Sequence, residues 1–452
     1  MTIQGHTLTS PYDAYHNGPL PPEDGLTLVE KGTAAGEYLR RFWQPVALAS
    51  EIGDVPKKVR IFGEDLVLFR TTTGSYGLLD RHCSHRGSSL EFGLPTEAGI
   101  RCCYHGWLYG LDGRILETPG DPPDSTLKDR LCHGAYPVRE YKGIIFGYFG
   151  EPEKIPEFVI YDSYDYPDDK LVPYSLSYPC NWLQVHENVM DPAHAVFLHT
   201  RMTFSHFADA WGELPVMDFA ETPTGMIYIT TRRWRDKVWV RSNDIILPNL
   251  AQVGHIWEDG QEAKQFSRVG ITRWTMPVDN ENCKIIGWRH FHPEVNPRGI
   301  GREEDCGLEK VDFYGQTGAQ TFEERQRLPG DYDAIVSQRR IANHGVEHLT
   351  YCDRGVVMLR RLLRREMDRV ARGGDAARPA AAPGPRPTYC HDTVLSIPLL
   401  PGEDDRKILA EVGRKVTDIV VNGEHQAAAD RVERIRALMR DYEGGAAAKA
   451  AE

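Results

Sequence analysis

Between residues 58 and 150 the apolar residues come in short alternating runs: VRIFGEDLVLFRT, SYGLLD, YGLDGRILE and GIIFGYFG, divided by Gly, Pro and Asp. Alternation over four to eight residues predicts strands. Gly63-Glu64-Asp65 and Asp112-Gly113 predict tight turns between them. This stretch reads as a small all-β domain over 41–155, behind an N-terminal lead-in segment, 1–40. In the lead-in, GEYLRRFWQPVALASEI begins with a short helical pattern and turns into an extended run. Residues 151–178, rich in Pro, Tyr and Asp, read as a connection of low regularity.

A second, larger domain is expected over 156–445. It begins with a helix-like pattern at 187–199 and continues in longer alternating runs, MIYITTRRW, KVWVRSNDIIL and KIIGWRHFH. Amphipathic spacing then predicts helices over 332–343, 354–372 and 425–442. Helices packed on one face of an antiparallel sheet make an α+β arrangement. The run RGGDAARPAAAPGPRP, 372–387, reads as a flexible surface loop, and 446–452 as a frayed tail. No internal repeat is present.

Composition narrows the class. The 452 residues exceed the usual single-domain size, and 41% hydrophobic with 26% charged residues is near the globular average. A net charge of −12 argues against nucleic acid or an anionic membrane as partner, though a local basic pocket remains compatible with it. The N-terminus shows no basic-then-apolar leader, and no run approaches membrane-spanning length, so a cytoplasmic protein is expected. Nine cysteines in so long a chain is not the density of a disulfide framework. The question becomes which of them hold metal.

RHCSHRGSSLEFGLPTEAGIRCCYHGWLYG answers part of it. Cys83-Ser84-His85 and Cys102-Cys103-Tyr104-His105 form a C-x-H-x16-C-x2-H arrangement, in which two loops each offer one Cys and one His. A Rieske centre needs two thiolates on one iron and two imidazoles on the other, and the imidazoles raise its potential. A structural zinc site would group its cysteines together and its histidines together. The mixed loops therefore favour the cluster. The C-x2-H spacing selects Cys102 rather than Cys103, and Gly87 and Gly106 fit places of close backbone approach to the cluster.

The second pattern is NWLQVHENVMDPAHAVFLHT, with Asp191-x2-His194-x4-His199. Asp191 and His194 share a helical face, but a five-residue step does not. His199 joins His194 on one metal only if the helix bulges or breaks between them. Two His plus a distant carboxylate would complete a facial triad for Fe(II) and O2 chemistry. The bland alternative is a pair of inert, hydrogen-bonded histidines at a helix end. Coexistence with an electron-transfer cluster favours the metal.

Both motifs, in this order, resemble the Rieske non-haem iron ring-hydroxylating oxygenases. RHCSHRG, CCYHGW and EHLTYCDRGV resemble the oxygenase components of the phthalate dioxygenase-like group, including dehydrodivanillate O-demethylase-type oxygenases of aromatic acids. The resemblance implies a [2Fe–2S] cluster on Cys83, His85, Cys102 and His105, and a mononuclear Fe(II) on His194 and His199. It makes Asp191 a carboxylate bridging the two centres. It puts the third iron ligand seven residues before Gln338, at Asp331, with Asp333 as competitor. Glu187 and Asn188, ahead of Asp191, are carried as further candidates of the catalytic site; for Glu187 a solvent-facing or capping role is the alternative.

The resemblance further implies a separate NAD(P)H-dependent reductase or ferredoxin as electron donor, since no dinucleotide or flavin fingerprint appears in the chain. It implies a homotrimer or homohexamer, with transfer between neighbouring subunits, and O2-dependent hydroxylation or O-demethylation of an aromatic acid. Arg232, Arg233, Arg241, Arg273 and Arg289 lie on predicted strands. Any of them can hold a carboxylate by a bidentate pair, but alternating arginines more often form the solvated face of a sheet. The reading from another class is an electron-transfer or ligand-sensing Rieske protein without turnover, which would need no facial triad.

Overall fold

The computed structural model describes residues 10–21, 25–166, 168–202, 207–378, 384–400, 402–422 and 428–451. The alternating runs of the first domain become three small antiparallel sheets. Lys57–Ile61, Glu64–Arg70, Tyr76–Asp80 and Ala135–Tyr136 form one; Leu94–Pro95, Gly99–Arg101, Leu108–Gly110 and Ile115–Glu117 another. Trp43–Leu48 and Val138–Tyr141 flank Ile144–Tyr148 in the third. Val67, Phe69 and Leu79 pack with Ile100, Tyr109 and Ile115, and Cys83 and Cys102 are buried at the same seam.

The larger sheet is antiparallel throughout. Its order is Lys170–Tyr178, Cys283–Phe291, Ile271–Pro277, Leu250–Val253, Lys237–Ile246, Gly225–Trp234 and Val216–Thr222. His391–Leu395 pairs with the first half of Lys237–Ile246 and with Lys264–Ser267. Both faces are covered, so most of these strands are buried along nearly their whole length. Ile227, Ile229, Val238 and Val240 face the helices Asp405–Val421 and Ala428–Ala451 through Val412, Val416, Ile435 and Met439. Trp274, Ile286 and Trp288 meet Leu48, Ile144 and Phe146 of the first domain.

Several elements differ from the sequence pattern. The helix Asp405–Val421 is not foreseen; Asp404 caps it by accepting from the Arg406 N–H, and Gly413 lets it approach the Thr231 hydroxyl. The predicted helix over 332–343 stops early, as Asp331–Val336. The last helix runs to Ala451 where fraying was expected, since alanine is the best helix former. Part of 372–387 lies outside the described residues, but Arg386 pairs its backbone with Ile160 and Asp162 and is tied down rather than loose. The lead-in helix Ala34–Leu39 shares a core with the helix Arg354–Ala371: Tyr38 and Leu39 are buried in one cluster with Leu359, Leu363 and Met367.

Candidate functional site

Two loops of matching build carry the Cys/His pairs. In each, the Cys carbonyl accepts from a glycine N–H four residues on: Gly87 to Cys83 at 2.8 Å, Gly106 to Cys102 at 3.1 Å. Each Cys N–H donates to the residue five on, Ser88 and Trp107, both at 2.8–2.9 Å. The glycines have φ of +76° and +75°, so the left-handed backbone of the turn explains their identity. Cys83 and Cys102 are buried, whereas His85 and His105 stand exposed with ring centroids 4.6 Å apart. His85 stacks on Trp107 at 4.8 Å, and the Tyr109 hydroxyl lies 2.9 Å from Cys83 Sγ. Burial pushes the Cys102 thiol up, so a thiolate there needs a positive partner. Two buried sulfurs below two exposed imidazoles fit a Rieske cluster. Cys103 is exposed.

The second site is built on a distorted helix. Ala193–Val196 is α-helical, and Phe197–Arg201 widens into a π-helical turn closed by Met202 N–H on the Phe197 carbonyl at 2.8 Å. That extra residue per turn supplies the bulge the five-residue step requires. One ligand atom each from His194, His199 and Asp331 lies within 4.8 Å of the others. His199 Nε2 is 3.2 Å and His194 Nε2 3.5 Å from Asp331 Oδ1. Burial opposes charge on both members, but the neighbours prevail. Asp191 and Asp331 raise His194 to about 9, and His199 and His194 hold Asp331 well below the carboxylate range. Such a cluster of imidazoles and carboxylate is suited to a divalent cation.

Asp331 opens the helix Asp331–Val336, and Asp333 is turned away to Arg325 at 2.8 Å. Asn188 Nδ2 sits 3.3 Å from Asp331 Oδ1 and 3.4 Å from His194 Nε2. Asp191 hydrogen-bonds His194 Nδ1 through its carbonyl, with Oδ2 at 3.6 Å. Glu187 is neither solvent-facing nor at the triad. It is buried and held by Arg360 at 2.6 and 2.7 Å, and Arg360 also pairs with Glu347. Two polar partners carry no sequence signal: Arg360 itself, and Gln316, whose Nε2 donates to Asp331 Oδ2 at 2.6 Å. That bond occupies one carboxylate oxygen and leaves Oδ1 for the imidazoles.

Two cavities reach the triad. One, of about 580 Å³, is lined by Phe207, Trp211, Tyr228, Ile256, Arg241 and Arg273 along with the triad. A wider cleft of about 1220 Å³ reaches His194 and Asp191 from another side, past Glu187, Gln338 and Arg360. The strand arginines are not a solvated face, because both faces of the sheet are covered. Arg289 is paired with Asp312 and Arg233 with Asp405, while Arg232 lies over Trp211 and Trp239. Arg241 is engaged by Asp392 and the His255 carbonyl, both at 2.7 Å. Arg273 is buried at the cavity with no carboxylate partner among the described residues, and its Nε lacks any hydrogen bond.

Comparison with known proteins matches residues 42–141 to the Rieske [2Fe-2S] domain and 178–282 to the vanillate O-demethylase oxygenase C-terminal domain. The oxygenase subunit of tert-butanol monooxygenase / tert-amyl alcohol desaturase from Aquincola tertiaricarbonis is 43% identical over 417 residues, 86% of each chain. Phenoxybenzoate dioxygenase subunit alpha from Ectopseudomonas oleovorans is 37% identical over 388 residues, 80% of this chain and 89% of that one. Dicamba monooxygenase bound to dicamba shares the fold, with TM-score 0.57 at 18% identity over 75% of this chain and 99% of that one.

Proposed function

Because the chain belongs to the Rieske non-haem iron oxygenases, as an oxygenase component carrying a [2Fe–2S] cluster and a mononuclear iron, we propose that it oxidises an aromatic acid whose carboxylate is held by Arg273. Cys83, His85, Cys102 and His105 hold the cluster; His194, His199 and Asp331 hold the iron. When bound, the cluster supplies single electrons and the iron supplies O2 activation. A separate reductase or ferredoxin is the electron donor.

The observation that carries the substrate class is the unpaired guanidinium of Arg273 in the smaller cavity. A buried cation without a carboxylate is costly, and a bidentate substrate carboxylate offsets that cost. Trp211, Phe207 and Tyr228 supply an aromatic wall beside it, and Asn188 and Gln316 orient the carboxylate of Asp331. Asp191 orients His194 and faces the wider cleft. The exposed His85 and His105 of a neighbouring subunit can enter there in a head-to-tail trimer, which makes Asp191 the link between the two centres.

One relative acts on tertiary alcohols, which makes a branched alcohol the second reading. Turnover with a surrogate reductase, scored by O2 uptake and formaldehyde release, separates the two. Methoxylated or unsubstituted aromatic acids are expected to support coupled uptake, with formaldehyde marking O-demethylation. Arg273→Met should raise KM for an acid by about 30-fold or more, as loss of one partner of a buried charge pair does, and leave a neutral methoxyarene unaffected. Turnover of tert-butanol and no acid would sink the proposal.

A further inference from the structure

His133 belongs to neither metal motif, yet it is buried directly behind the first cluster loop. Its Nε2 is 2.8 Å from the Asp80 carbonyl oxygen and its Nδ1 is 2.6 Å from Ser84 Oγ. A carbonyl only accepts, so Nε2 carries the hydrogen. Burial lowers the ring's pKa and keeps it neutral, which leaves a lone pair on Nδ1. The Ser84 hydroxyl must then donate to His133.

Ser84 stands between Cys83 and His85, one residue from a ligand of each iron. The imidazole behind it is held from three directions. The backbone N–H of His133 donates to the Gly113 carbonyl at 2.7 Å, and the next residue, Gly134, accepts at its carbonyl from Asp80 N–H at 2.9 Å. The Tyr109 ring packs on it at 4.5 Å, while the Tyr109 hydroxyl reaches Cys83 Sγ. Hydrogen bonds to the sulfurs are a main lever on the potential of such clusters. The Ser84 hydroxyl belongs to that loop, and once released from His133 it is free to rotate to another rotamer.

We propose that His133 is a positioning residue for the cluster: it engages the Ser84 hydroxyl proton, keeps that donor off the cluster sulfurs, and so holds the reduction potential low. This rests on the assignment of Cys83 and His85 as ligands.

The test is the midpoint potential of the purified full-length holoprotein, by spectroelectrochemical titration after iron and sulfide analysis. His133→Gln retains an amide donor for the Asp80 carbonyl but offers nothing at the Nδ1 position. His133→Asn places an acceptor there. Gln is expected to raise the potential by about 59 mV, a tenfold change in the reduced-to-oxidised ratio at fixed donor potential. Asn and Ser84→Ala should stay near the unsubstituted protein, and Ser84→Ala in the Gln background should abolish the rise. No shift with Gln, or a shift that survives in the double variant, overturns the proposal. So does loss of cluster from both His133 variants, which would make His133 an assembly scaffold. A failed ligand assignment looks different: Cys83→Ser or His85→Ala would then retain a full cluster.

Discussion

At the residue scale, the contrast between Asp331 and Asp333 is a matter of partners. Asp331 accepts from Gln316 and faces both imidazoles, while Asp333 is spent on Arg325 and on the N-terminus of its own helix. Asp331→Ala is expected to remove the mononuclear iron and leave the cluster's visible spectrum intact, whereas Asp333→Ala should retain both. Metal analysis alongside the spectrum checks this, and iron loss from the Asp333 variant alone would reverse the assignment. Asp191 has a different role, since it touches His194 without completing the triad. Asp191→Ala should keep both metals and abolish turnover, with a pre-reduced cluster failing to reoxidise in the presence of substrate and O2. Normal reoxidation would remove Asp191 from the electron route.

At the scale of elements, the iron site hangs on the helix Arg354–Ala371. Arg360 from that helix clamps Glu187, at the end of the helix Trp182–Glu187, one residue before Asn188. Burial pushes the Glu187 carboxyl up and Arg360 pulls it back. Removing the guanidinium leaves a buried carboxylate with no cation. Arg360→Leu is expected to destabilise the fold by about 3–5 kcal/mol, read from denaturant melts, and adding Glu187→Gln should recover much of that loss. Equal losses in the single and double variants would mean that packing, not charge, is what Arg360 contributes. The π-helical turn at Phe197–Arg201 belongs to this scale too. A straight α-helix through His199 would carry its imidazole off the face of His194.

At the scale of the whole molecule, buried titratable groups give stability two opposed slopes with pH. Burial lowers His186 and His255 to about 3 and His391 to about 4, against about 6.5 unfolded. Below about pH 6.5 the unfolded chain therefore binds more protons at these residues, and stability falls as the medium becomes acid. Asp244 is the reverse: burial raises it to about 7 against about 3.9 unfolded, so its contribution worsens as pH rises from about 4 to about 7. Asp244→Asn should thus stabilise more at pH 7 than at pH 5, and His255→Phe more at pH 5 than at pH 7. Thermal melts at the two pH values read both signs. A pH-independent effect in either variant would show that the group does not change protonation on unfolding. Among the described residues, no helix is long and apolar enough to cross a membrane.

What the order of residues determined by itself was the chemistry that lies close along the chain. Each cluster loop carries its Cys, its His and its turn glycine within five residues, so covalent geometry alone brings them together, and the loops can be read without knowing their surroundings. The His194–His199 step likewise required a bulge or break in the helix if both were to meet at one metal, because a regular α-helix cannot place both on one face. The alternation of the strands was also legible, though not the layer that covers their second face. That layer includes the helix Asp405–Val421, whose apolar face has meaning only against Ile227 and Val240. Tertiary structure alone decided the rest. Asp331 meets His199 across 132 residues, Gln316 and Arg360 act on groups far from them in sequence, and His133 reaches Ser84 from a separate strand region. The five strand arginines look alike as letters. Only the folded chain gives carboxylates to Arg233, Arg241 and Arg289, lays Arg232 over Trp211 and Trp239, and leaves Arg273 at the cavity with no carboxylate among the described residues, because the partner of a charge is set by through-space neighbours that local spacing does not encode.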